Sequence, residues 1–391
     1  MLSNGRHYLA IPGPSVMPDR VLAAMHRAAP NIYTGQLHEM THSLYPDLKS
    51  VARTAHNAAI YIGNGHAAWE AALSNTLSRG DLVLVLATGS FGISWGVMAT
   101  ALGVRVEVLD FGPEADVDLA RVQERLTADT TIRAVLVVHS DTSSSVRNDI
   151  AGLRRVMDQA GHAALLMVDC IASLACDEFQ MDDWGVDVMV ACSQKGLMTP
   201  PGLSFVFFSP KADAARERAD CVTAYWDWRP RVNPAFYSQY FDGTAPTHHL
   251  YGLREALDMI MAEGVPQVWA RHRHLARAIW AAFDQWSVAG PMRLNIADPA
   301  KRSHAVTAVI IGAPDGDRLR AWCEHKAGVT LGIGLNRDPA SGYFRIGHMG
   351  HVNAHMVLGV LGVIDAGLKS LGIAHGRGAV EAAAAVVGEV G

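Results

Sequence analysis

Several scarcities bound this chain before any motif is read. Its five cysteines (Cys170, Cys176, Cys192, Cys221 and Cys323) are odd in number, and none is spaced as Cys-x-x-Cys. That argues against a disulfide framework and fits reduced thiols in a cytoplasmic protein. No apolar run approaches the ~20 residues of a membrane helix; the longest near the end covers only residues 356–364. Residues 1–10 carry Asn4, Arg6 and His7 and lack the apolar centre of a signal peptide. Lys and Arg nowhere cluster, and with 33 of them against 38 Asp and Glu the net charge is −5, which excludes an electrostatic footprint for nucleic acid or a membrane surface. Histidine is plentiful, yet neither His248-His249 nor His272-Arg273-His274 has an H-E-x-x-H frame or a cysteine at ligand spacing. No metal is expected.

What is there suits a globular chain with a large interior: half of the residues are hydrophobic and 18% are charged. At 391 residues it exceeds what one core comfortably serves. From residue 61 to 208 strand-like and helix-like segments alternate, the pattern of a mostly parallel sheet covered by helices. Strands are expected over 82–86, 104–109, 134–138, 164–168, 186–191 and 203–208. Helices are expected over 67–77, 91–102, 118–126 and 150–160. A long helix over 247–263 should be broken at Gly264-Val265-Pro266 and resume over 268–286. Strands over 305–311 and 343–346, with helices over 317–326 and 352–371, suggest a smaller C-terminal α+β unit. The expected division is an N-terminal segment 1–20, a large α/β domain 21–258 and a small domain 259–391.

Two polar residues stand where apolar strands stop. Asp169 ends Leu165-Leu166-Met167-Val168, and Lys195 lies 26 residues on, in Ser193-Gln194-Lys195-Gly196. Open α/β sheets place ligands at such strand ends. Pyridoxal phosphate needs this pair: a lysine for a Schiff base and an acid against its pyridinium nitrogen. Gly63-Asn64-Gly65-His66, directly before a helix, offers backbone N–H groups for a phosphate. Phe91, after the strand over 82–86, is a candidate to stack on the ring. Thr142, in the hydroxyl-rich run 140–145, is a candidate partner for its phenolic oxygen. Arg345, flanked by apolar residues, can hold a substrate carboxylate bidentately, with a structural ion pair as the alternative.

In order and spacing these pieces resemble the class V, fold-type I aminotransferases, and among them the alanine–glyoxylate and serine–glyoxylate (serine–pyruvate) group. The resemblance runs from Ile11-Pro12-Gly13-Pro14-Ser15 through Gly65-His66, Val168-Asp169 and Ser193-Gln194-Lys195-Gly196 with Pro200-Pro201-Gly202, to Arg345-Ile346-Gly347. It implies a seven-stranded-type large-domain sheet, with Lys195 and Asp169 catalytic. It further implies Asn64, Gly65, His66 and Gln194 at the phosphate, Phe91 and Ile171 on the ring, Thr142 at its hydroxyl and Arg345 on the substrate. A homodimer with shared sites is implied, in which Thr244 reaches the phosphate of the other subunit. Phe241 stands where the family has a tyrosine, so that hydrogen bond is lost unless Tyr240 supplies it. Tyr33 and Thr34 replace the Asp-His-Arg-Ser-like run of serine–glyoxylate members, which puts Tyr33 at the mouth of the site.

The expected activity is transfer of an amino group from a small L-amino acid, such as alanine or serine, to glyoxylate or pyruvate. Related donors (pyridoxamine with pyruvate, aspartate with glyoxylate, an aminophosphonate) are the alternatives within the fold. A cysteine desulfurase is disfavoured because Cys323, the only late cysteine, falls in an expected helix. Outside enzymes, the alternatives are a non-catalytic sensor of pyridoxal phosphate or an amino acid, and a dinucleotide-binding domain. The aromatic cluster Tyr225, Trp226 and Trp228 is either packing or a sign of a bulkier or more anionic donor.

Overall fold

The structure is a computed structural model that describes residues 2–389. Strand β1 (Tyr8–Ala10) belongs to a second sheet. The main sheet is built from β2 (Asn57–Gly63), β3 (Leu82–Ala87), β4 (Arg105–Asp110), β5 (Ile132–Val138), β6 (Leu165–Asp169), β7 (Val188–Cys192) and β8 (Gly202–Phe208). Their order is β2-β8-β7-β6-β5-β3-β4, and β8 alone runs against the other six. The central strands are apolar throughout because helices cover both faces: β6 and β7 are buried at every residue. The antiparallel direction of β8 follows from its short link to β7, since a parallel return would need a crossover of a dozen or more residues.

The register fixes the catalytic edge. Val138 of β5 pairs with Asp169 of β6, and Asp169 with Val190 of β7. The segments leaving β5, β6 and β7 therefore emerge side by side.

The second sheet adds β9 (Arg293–Leu294), β10 (Val306–Ile310), β11 (Val329–Ile333) and β12 (Tyr343–Gly347) in the order β1-β11-β12-β10-β9. The first core extends along the chain to Trp269, and the second begins again at Leu275 with Ala10 joining it. The lobes thus change over inside the helix Val265–Ser287. Gly264, at φ 89°, ends the preceding helix, whereas Pro266 sits in the first turn of the next. The expected break is therefore a single glycine, with the proline initiating rather than interrupting. Helix Ala354–Leu371 is long and apolar enough to cross a membrane by composition, but its Val357, Val360, Leu361, Ile364 and Leu368 pack into the second core.

Candidate active site

Lys195 sits in the turn between β7 and β8, which the side chains of its own residues pin. Ser193 Oγ donates to the Pro200 carbonyl at 2.7 Å and Thr199 Oγ1 to the Ser193 carbonyl at 3.1 Å. The N-terminal segment closes over this turn: Ser15 Oγ donates to the Lys195 carbonyl at 2.7 Å, and the Lys195 ammonium donates to the Pro12 carbonyl. Gly13 lies between them at φ 99°, and a Cβ there would overlap the Lys195 side chain, so both conformation and space demand glycine. Burial, more than any neighbour, depresses Lys195 below its ordinary value.

Asp169 faces the same cavity. Its Oδ1 accepts the Ile171 N–H at 2.7 Å and its Oδ2 the Trp69 Nε1–H at 2.9 Å. Burial raises this carboxyl to about 7 against both hydrogen bonds. Among the described residues no cation stands within ion-pair distance of this carboxylate, Lys195 acting on it only weakly, and a protonated ring nitrogen would supply one.

The cavity, of about 230 Å³, is lined by Asn64, Gly65, His66, Phe91, Thr142, Asp169, Ile171, Gln194 and Lys195. Those nine are the residues expected from sequence at the cofactor, Thr244 excepted. Asn64 caps the helix Gly65–Thr76, its side chain accepting the His66 N–H at 3.0 Å. A Cβ on Gly65 would collide with Ile171, so the glycine lets Ile171 reach the cavity. The Gln194 Oε1 is buried without a partner. Turned over, that amide presents its NH₂ beside a helix start, a donor set that suits a phosphate. Acid, amine, helix start and orphaned amide together fit pyridoxal phosphate.

Arg345 stands next to this cavity rather than in its wall. Nε donates to the Ile333 carbonyl and Nη1 to the Thr142 carbonyl, both at 2.8 Å. Among the described residues it has no acidic partner within ion-pair distance, although it is only 8% exposed, so the ion-pair alternative does not hold. Burial lowers it to about 10, which leaves it a cation at neutral pH. Nη2 makes no hydrogen bond among the described residues.

Tyr33 and Thr244 are not brought to the cofactor cavity of their own chain. They line a separate cavity of about 430 Å³ with Phe236 and Tyr237. Phe241 is buried in the first core, and Tyr240 packs against His42 and Tyr45. The aromatic loop is packing. Trp228 stacks on Phe208 at 3.9 Å, Trp226 Nε1 donates to Glu70 at 3.0 Å, and the buried Arg231 donates to the carbonyls of Ile60, Tyr225 and Tyr240. The paired histidines are likewise structural: His248 and His249 meet the carbonyls of Arg27 and Pro201, and His272 that of Val268.

Sequence reasoning missed Trp69, Ser140 and Pro12. Trp69 had a signal: it lies one turn beyond Gly65-His66, on the helix face that points back to the strand ends. Ser140 is one hydroxyl in a run of seven polar residues, 139–145, and Pro12 acts through its carbonyl, which no side-chain pattern reveals.

Comparisons with known proteins identify the family of the chain. The model of the family described as class-V aminotransferase matches residues 7–337. The chain is 35% identical to serine–glyoxylate aminotransferase of Arabidopsis thaliana over 378 residues, covering 95% of this chain and 92% of that one. It is 37% identical to serine–glyoxylate aminotransferase of Methylorubrum extorquens over 383 residues, with 93% of each covered. Among solved structures, ureidoglycine–glyoxylate aminotransferase of Bacillus subtilis superposes with a TM-score of 0.89 at 23% identity, covering 98% of both chains.

Proposed function

The chain belongs to the class-V aminotransferases, fold-type I enzymes dependent on pyridoxal phosphate, and from that premise we propose that it transfers the amino group of a small L-amino acid, serine or alanine, to glyoxylate. The observation that carries the reading is the meeting of Lys195 and Asp169 in one buried cavity beside an arginine without an acidic partner. The choice of glyoxylate is supported by two relatives that bear it in their names over nearly the whole chain.

When bound, pyridoxal phosphate supplies an aldehyde for amino groups and a ring that takes up the electron pair released at the donor's Cα. Asp169, fixed by Trp69 and the Ile171 N–H, holds negative charge against the ring nitrogen. Lys195, desolvated and therefore readily neutral, would accept at Nζ the proton that leaves the donor's Cα and pass it to the cofactor along with the amino group. In the second half-reaction it would carry a proton back to Cα of the acceptor. Arg345 orients the substrate carboxylate, and the start of the helix Gly65–Thr76 with Gln194 binds the phosphate. The N-terminal segment holds Nζ through the Pro12 carbonyl. The exposed surface around Tyr33, Phe236 and Thr244 supports a homodimer in which these residues complete the partner's site.

The test is a half-reaction screen. Holoenzyme is mixed with serine, alanine, aspartate and pyridoxamine, and loss of the cofactor absorbance is followed. Serine or alanine should bleach fastest, with amino transfer completed by glyoxylate. Faster bleaching by aspartate or pyridoxamine reassigns the donor, and full transamination by Lys195→Ala refutes the mechanism.

A further inference from the structure

The two lobes meet at a carboxylate to which the chemistry above gives no part. Asp177, beyond the end of β6, is wholly buried, accepts three hydrogen bonds and lies against an imidazole. Oδ2 takes the Ser140 hydroxyl at 2.9 Å, from the segment after β5, and the Ser303 hydroxyl at 3.2 Å, from the segment before β10. Oδ1 takes the His304 backbone N–H at 3.0 Å and lies 2.8 Å from His304 Nδ1. Burial alone would raise this carboxyl, but His304, with Arg147 and His139 behind it, outweighs burial and holds it well below the usual carboxylate range. One hydrogen bond comes from the large lobe, and two, with the imidazole, come from the small one.

Both ends of this junction lead to the site. Ser140 lines the cofactor cavity, and two residues on, the Thr142 carbonyl holds Arg345 Nη1. In the other direction His304 runs through Ala305 into β10, where Ala308 pairs with Arg345 of β12. The Ala305 carbonyl also accepts the His348 N–H at 2.9 Å, just beyond β12.

We propose that Asp177 is a positioning residue: by joining Ser140 to the Ser303-His304 segment it fixes the distance between the cofactor cavity and the strand that carries Arg345, and so sets how tightly a substrate carboxylate is held. This rests on the assignment of Arg345 to that carboxylate. The clamp meets the carboxylate alike before and during the chemical step, so loosening it weakens binding without slowing the step. A carboxylate is needed because an amide in its place offers a single accepting oxygen to three donors and turns its NH₂ on one of them or on the imidazole.

The test is stopped-flow bleaching of each holoenzyme by the donor that works fastest on the wild type. Asp177→Asn should raise the half-saturating donor concentration about tenfold and Ser303→Ala about threefold, with the saturating rate within about twofold of wild type. Titration of the cofactor-free proteins with pyridoxal phosphate, read by tryptophan fluorescence, should give dissociation constants within about threefold of wild type, since Lys195, Asp169 and the phosphate cradle are untouched. Ser303→Ala removes one hydrogen bond and leaves the carboxylate those from Ser140 and the His304 N–H, with the imidazole beside it, so it decides the matter where Asp177→Asn does not fold. A lowered melting temperature with unchanged half-saturation overturns the proposal, as does a fall in saturating rate alone. Arg345→Ala, run alongside, should raise half-saturation about a hundredfold. If it does not, the carboxylate assignment falls and the positioning role with it; if it does and the other two variants do not, only the positioning role falls.

Discussion

At the scale of single residues the site holds groups that its fold alone would not choose. Asp169 is raised to about 7 by burial, so without a cation opposite it the folded chain keeps a proton that the unfolded chain has lost. A carboxyl of this kind stabilises the fold when protonated, and its ionisation costs stability as pH rises from the ordinary carboxyl range to about 7. Asp169→Asn cannot ionise. In cofactor-free protein it should therefore melt above wild type at pH 8, and the difference should shrink toward pH 5. Calorimetry at the two values checks this, and an equal or inverted difference at pH 8 refutes it. The same variant should lose transamination about a hundredfold or more, because a neutral amide does not hold charge at the ring nitrogen. Stability gained and activity lost at one atom is the mark of a functional carboxylate.

At the scale of elements, the start of the helix Gly65–Thr76 carries the phosphate end of the site. Asn64 caps it, and losing such a cap costs about 1 kcal/mol. Asn64→Ala should raise the dissociation constant of pyridoxal phosphate about tenfold, while Asn64→Ser, which can cap, should recover most of the loss. Fluorescence titration separates the two, and equal effects of Ala and Ser would show that capping is not the cause. The elements themselves were largely legible in the sequence, for a physical reason. Strands such as β3, β6 and β7 are buried on both faces and read as unbroken apolar runs ending at polar residues, so Asp169 stood out as the one acid at such an end. Legibility failed where position depends on the fold. That β8 is antiparallel, that β1 joins β11 across more than three hundred residues, and that the Pro12 carbonyl meets Lys195 are consequences of chain return. Thr244 illustrates the same limit: its motif was readable, but its place in a cavity apart from the cofactor was not.

At the scale of the whole molecule, one chain brings Lys195, Asp169 and the phosphate cradle together and leaves Thr244 elsewhere. Tyr33 is 81% exposed and Phe236 62%, a costly way to leave two aromatics on one surface unless something covers them. If a second copy does so, and Thr244 serves the partner's phosphate, each site draws on both chains. Two lesions then become complementary. Lys195→Ala abolishes the amine of its own site, and Thr244→Ala weakens the phosphate cradle of the partner's. When the two variants are unfolded together, refolded and loaded at limiting pyridoxal phosphate, half of the chains paired at random form mixed dimers. Each mixed dimer holds one site with both lesions and one with neither. Activity per chain should then exceed the mean of the two variants refolded separately, approaching about a quarter of wild type when each variant is inactive on its own. Activity no higher than that mean would place Thr244 at the site of its own chain, or at none.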